Sequence, residues 1–120
     1  MELETAIKGY GDARERLQGK WTSPVALSDL AVKIALYGTY IGDHLGSYRL
    51  SYELKRAQTY SEAIKAEMSA TASENKARSD NAEDHAQILR LETVYKSLNN
   101  LVSVIQSRLK VLENEARSNV

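Results

Sequence analysis

Apolar residues recur in steps of three and four over almost the whole chain, and no stretch shows the two-residue alternation of a half-buried strand. At the N-terminus Leu3, Ile7, Tyr10 and Leu17 keep this spacing. They predict a short helix over 1–19, weakened by Gly9 and Gly11 and stopped at Gly19. Ser23-Pro24 reads as a helix start, with serine supplying a capping oxygen and proline a pre-set φ at the first helical position. Trp21, just before it, is placed to anchor by packing back on the new first turn near Leu27. Leu27, Leu30, Ile34, Tyr37, Ile41, Leu45, Tyr48 and Tyr52 then continue the pattern with no proline to interrupt it. They predict one long helix over 23–68, about 65 Å long at ~1.5 Å per residue.

Residues 69–84 are small and polar with few apolar anchors, and read as a connector with some local helix, Ser79 or Asp80 capping the final helix. That helix, predicted over 85–117, has the cleanest period. Ile88, Leu91, Tyr95, Leu98, Val102, Ile105, Leu109, Leu112 and Ala116 alternate three and four without a break, as a coiled-coil seam does. Val94, Leu101, Val104 and Val111 broaden that seam. The expected fold is a single all-α domain over 1–120: a long antiparallel helical hairpin with a short N-terminal helix and coiled-coil-like seams.

Gly38, Gly42 and Gly46 run against this helical pattern at i, i+4, i+8. Each costs about 1 kcal/mol relative to alanine inside a helix, so the stripe asks for a close approach. A hairpin uses one stripe of each helix for its own seam, and the glycines with their flanking apolar residues would be left uncovered. Contiguous apolar surface marks an interface, so a homo-oligomer is expected, joined through Gly38, Gly42, Gly46, Tyr37, Ile41 and Leu45. A groove for a flat ligand is the other reading of the same bare backbone.

Charge and composition narrow the functions. Sixteen basic residues balance sixteen acidic ones, and the balance holds locally, which argues against a whole-molecule basic field. The absence of cysteine excludes disulfides, thiolate catalysis and cysteine-ligated zinc, and suits a reducing cytoplasm. No apolar run approaches the ~20 residues of a membrane span and no signal-peptide core opens the chain, so a cytoplasmic protein without a membrane partner is expected. No glycine-rich phosphate loop, G-x-S-x-G, H-E-x-x-H or EF-hand loop occurs. His44 and His85 lack the Glu-x-x-His spacing of a bundle di-metal site and suit ordinary polar or interface roles. No catalytic residue, metal or cofactor is expected, and the chain does not read as an enzyme.

A binding surface remains. The chain has seven tyrosines and no phenylalanine. Tyr48 and Tyr52, with Tyr37, Tyr40 and Tyr60 nearby, share the central helix with Arg49, Lys55, Arg56 and Lys65; Lys76 and Arg78 come next, in the connector. Tyrosine stacks on bases and basic side chains hold phosphates, a combination suited to sequence-tolerant single-strand binding. Tyrosines filling a seam beside a solvated charged face would give the same pattern.

Two longer motifs bear on the choice. Leu36-Tyr37-x-x-Tyr40-Ile41-x-x-His44 is similar to Leu-Tyr-x-x-Trp-Leu-x-x-His, with Asp29, Ala31 and Ile34 correspondingly placed upstream. The apolar ladder from Ile88 to Val102 leads into Ile105-Gln106-Ser107-Arg108, similar to Ile-x-Ser-Arg. In these features, over roughly residues 27–112, the chain resembles the tailed-phage recombination mediator (UvsY-like) family. The glycine triplet lies outside that family's pattern. The resemblance implies an all-helical, ring-forming protein that binds single-stranded DNA. Such a protein helps load a phage recombinase onto strands covered by single-strand-binding protein, in the cytoplasm of a phage-infected bacterial cell. The family's basic cluster comes after the His-containing segment, where this chain has Arg49, Lys55, Arg56 and Lys65. A ring would collect one modest basic patch per subunit into a multivalent surface. Two other functions stay open: a phage counter-defence protein sequestering a cyclic nucleotide signal between subunits, and a purely structural helical assembly protein.

Overall fold

The computed structural model describes residues 1–21 and 23–118. Four helices make up the described chain: α1 (Leu3–Leu17), α2 (Pro24–Lys65), α3 (Ala70–Asp80) and α4 (Ala82–Ser118). No strand occurs among the described residues, so the all-α class stands. Two compact units share the long helices: the first comprises Met1–Gly42 with Thr93–Val120, the second Asp43–Glu92.

In the first unit α1 buries Ala6, Tyr10, Ala13 and Leu17, the four-three-four face of a short amphipathic helix. Its C-terminal carbonyls, which have no partners inside the helix, are met from outside. The Gln18 and Gly19 amides donate to the Glu15 and Arg16 carbonyls. Trp21 Nε1–H also donates to Arg16 O, at 3.1 Å, and Arg108 from α4 donates to Leu17 O at 2.7 Å. Trp21 thus anchors the end of α1, with the Arg16 guanidinium over its ring. Ser23 caps α2, its Oγ accepting from the Ala26 amide at 3.2 Å.

Leu27, Leu30, Ile34 and Ile41 of α2 meet the same core as Leu98 and Ile105 of α4, all nearly or fully buried. α2 and α4 run antiparallel here, because Gly38 lies against Leu98 and Gly42 against Tyr95. α2 also contains an 18-residue stretch of mean hydropathy 1.2 with at most two charged residues, long and apolar enough to cross a membrane by length and composition. That corrects the expectation that no run approaches a span. The difference arises because the alanine, valine, leucine and isoleucine residues of α2 sustain the average across isolated charges, where a search for unbroken apolar residues stops.

In the second unit α2 ends in a Schellman motif. Met68 N–H donates to Ala63 O and Glu67 N–H to Ile64 O, with Glu67 in the left-handed region at φ 66°. Ser69 then caps α3 through the Ala72 amide. The segment read as a connector therefore carries three turns of helix. Its buried contacts are the small side chains of Ser73 and Ala77 rather than large apolar anchors, which is why the hydrophobic period is faint.

Neither Ser79 nor Asp80 caps α4: both lie inside α3, and the break falls at Asn81. The Asn81 side-chain amide donates to Ala77 O at 2.9 Å and to Thr59 Oγ1 of α2 at 3.3 Å. Its own carbonyl accepts the His85 amide, the first bond of α4. One buried side chain therefore closes α3 and ties the junction to α2. α2 and α4 are antiparallel in this unit as well, since Arg49 pairs with Glu92 and Lys55 with Asp84.

Candidate nucleic-acid interface

The glycine stripe has a use within the chain. A Cβ at Gly38 would stand 2.7 Å from Leu98 Cδ2, and one at Gly42 would stand 3.0 Å from Tyr95 Cε2. Ile41 and Leu45 are buried at 0% and 4% exposure. Tyr37 is half-buried and its ring lies over Gly9 of α1. The expectation of an uncovered stripe, left for a second subunit, is therefore corrected at Gly38, Gly42, Ile41 and Leu45. At the two glycines, α4 of the same chain fills the approach. The space a flat ligand would need over Gly38 and Gly42 is filled for the same reason. Gly46 alone of the three has nothing among the described residues within 4 Å of a Cβ.

Seven of the eight residues singled out for nucleic-acid binding form polar or ring contacts in the second unit. Arg49 pairs with Glu92 at 2.7 Å and Lys55 with Asp84 at 3.1 Å, both from α2 to α4. Lys76 pairs with Asp80 one turn along α3 at 3.1 Å. Arg56 of α2 and Arg78 of α3 share one carboxylate, Glu74, with Arg78 Nε at 3.4 Å from it. Tyr48 lies beside His44, ring centroids 6.4 Å apart. Tyr52 is buried at 8% exposure, and exposed His85 sits against its ring at 5.3 Å. The stacking platform expected of Tyr52 is thus largely taken up by the chain itself. Lys65 stands exposed in the last turn of α2.

Three of these residues converge. Tyr52, Arg56 and Arg78 line one cavity of about 410 Å³ together with Ala82 and His85. Arg56 also lines a second cavity, of about 280 Å³, with Tyr60, Ala57, Glu53 and Glu74. Tyr52, Arg56 and Tyr60 stand at i, i+4, i+8 on α2, so a guanidinium lies between two phenol rings at ~6 Å steps along the helix. Two guanidinium groups beside aromatic rings make a site for an anionic group attached to a flat one.

Electrostatics at the site centre on Glu74. The hydrogen bond from Arg56 is the main cause holding the Glu74 carboxyl below the ordinary carboxylate range, and the charge of Arg78 adds to it. The same bond raises Arg56. Both side chains remain about one-third exposed, at 32% and 37%, so solvent reaches the pair and an incoming anion can too.

His85 and Glu74 were not among the expected site residues, and Tyr60 was read only as a neighbour of Tyr48 and Tyr52 on the central helix. Only the Glu74–Arg78 pair carries a sequence signal, its i,i+4 spacing on a helix. Among the described residues no group of three or more His, Asp or Glu side chains is placed to hold a metal ion. Comparison of the chain with protein-family models, with curated proteins and with solved structures gives no match.

Proposed function

We propose that the chain is a nonenzymatic single-stranded-DNA-binding protein of the recombination-mediator type, working as a homo-oligomer in the bacterial cytoplasm and assisting a recombinase on strands held by single-strand-binding protein. The observation that carries this reading is the convergence of Arg56, Arg78, Tyr52 and His85 on one cavity, with Tyr60 beside Arg56 in the next. A phosphodiester suits the guanidinium pair, and bases suit the rings of half-buried Tyr60 and exposed His85. The two motifs similar to the mediator pattern support the same reading.

Apolar rows left on the surface support the assembled form. Val25, Val32 and Leu36 on α2 are 57–72% exposed, and Val104 and Val111 on α4 are 43% and 55% exposed. Val25, Val32 and Leu36 fall within ~20° of one line on the helix, a stripe suited to coiled-coil-like pairing between subunits.

Fluorescence anisotropy with a labelled thymidine oligonucleotide tests the DNA reading. Binding at low salt that weakens as salt rises is expected. No binding at low salt overturns it. The cavity's chemistry would also take a free nucleotide, as the counter-defence reading requires. Thermal stabilisation by cyclic dinucleotides without any by single strands would favour that second reading.

A further inference from the structure

We infer that Glu74 is a resident anion in a phosphodiester site, occupying the place on Arg56 and Arg78 that a strand phosphate takes when DNA binds. This inference rests on the single-strand-binding reading and adds how the site is kept in the absence of DNA.

The geometry is that of a bridged pair. Arg56 comes from α2 and Arg78 from α3, and the Glu74 carboxylate joins the two guanidinium groups. Two cations converging on one point repel unless an anion stands there, and a carboxylate and a phosphodiester present similar oxygen pairs to a guanidinium fork. Glu74 is on α3, one turn before Arg78, so its side chain can swing away by rotamer change without any helix moving. Arg56 borders two cavities, of about 410 and 280 Å³, which leave room for an incoming group to approach through either.

The wider charge pattern fits an exchange rather than an addition. Within Asp43–Glu92 nine acidic residues outnumber seven basic ones, and Arg49, Lys55 and Lys76 each hold a carboxylate as well. A strand meets a surface already neutralised by its own carboxylates. Binding therefore trades a carboxylate–guanidinium contact for a phosphate–guanidinium contact. The freed carboxylate takes up a cation, which offsets part of the counterion release from the strand and flattens the salt dependence.

The test compares the wild-type chain with Glu74→Gln by oligonucleotide anisotropy across a salt series, after circular dichroism shows the variant helical. Glutamine keeps the shape and a hydrogen-bond acceptor but not the charge. Binding about fivefold tighter at low salt is expected, the scale of one partly exposed ion pair. The slope of log affinity against log salt should steepen by up to ~0.7, the share of one single-strand phosphate. Adding Arg78→Ala to Glu74→Gln should remove the gain.

A Glu74→Gln chain that binds equally or more weakly than wild type, while wild type binds, overturns the inference and leaves the binding reading standing. In that case Glu74 merely positions Arg56 and Arg78. Binding by neither chain at low salt overturns both. Binding by Glu74→Gln alone overturns the exchange, because the wild-type carboxylate then excludes the strand instead of yielding to it. In the wild type, oligonucleotide should also shift the Arg78 Nε–H resonance; an unmoved resonance in the bound state counts against displacement.

Discussion

Leu98 sits on the bare backbone of Gly38, and a side-chain carbon at that glycine would stand 2.7 Å from Leu98 Cδ2. Leu98 is 1% exposed and cannot retreat into solvent. Gly46, two turns on along the same helix, faces open space. The two glycines therefore predict opposite outcomes. Gly46→Ala should stabilise by about 1 kcal/mol, the helix-propensity gain with nothing to displace. Gly38→Leu should destabilise by about 2 kcal/mol through overpacking against Leu98. Urea denaturation monitored by circular dichroism measures both, and equal shifts of the same sign would refute the assignment of Gly38 to intrachain packing.

The second prediction concerns α3. Ser73 is fully buried and its Oγ has no hydrogen-bond partner among the described residues. A buried, unsatisfied hydroxyl costs about 1–3 kcal/mol, whereas alanine fits the same space and favours the helix. Ser73→Ala should raise the melting temperature. A lower melting temperature would mean that the hydroxyl has a partner that stabilises it.

Much of this architecture can be read from the residues. The three-four period of Leu27, Leu30, Ile34 and Ile41, and of Ile88, Leu91, Leu98 and Ile105, is the period of the buried faces, and Ser23-Pro24 marks where α2 begins. The period fails over α3 because Ser73 and Ala77 pack by being small, and smallness carries no hydropathy signal. The glycine stripe is visible in the sequence but its occupant is not. Tyr95 and Leu98 belong to the same seam as their neighbours, and only the antiparallel register brings them onto Gly42 and Gly38. The site suffers in the same way. Arg56 and Tyr52 read as binding residues from sequence, yet their partners Glu74 and His85 lie 18 and 33 residues on and are set by how the helices pack.

Acid should unfold the second unit in part through Glu74. Its carboxyl is held below the ordinary range, chiefly by the Arg56 hydrogen bond, so the folded state binds this proton less readily than the unfolded chain. The stabilisation is fully present above the unfolded carboxylate range and is lost as pH falls through the lowered folded value. Thermal melts of wild type and Glu74→Gln should differ at pH 7, with wild type the more stable, and converge in strong acid. A difference that persists unchanged at the lowest pH would assign it to packing rather than to charge.

Assembly is read out by mass. The exposed Val25, Val32 and Leu36 row predicts a light-scattering mass that is a multiple of 13.4 kDa. Leu36→Glu should shift the population toward monomer with its helix content retained. A monodisperse wild-type monomer at all concentrations would remove the homo-oligomer from the proposal.

Low-salt anisotropy of a labelled thymidine oligonucleotide, with wild type and with Arg56→Ala/Arg78→Ala, decides whether this site holds DNA. Both arginines line the cavity with Tyr52 and His85, and they supply its paired guanidinium groups. Wild type should bind, and the double variant, still helical, should lose at least about tenfold in affinity. Wild type that fails to bind, or a double variant that binds equally well, would refute the assignment.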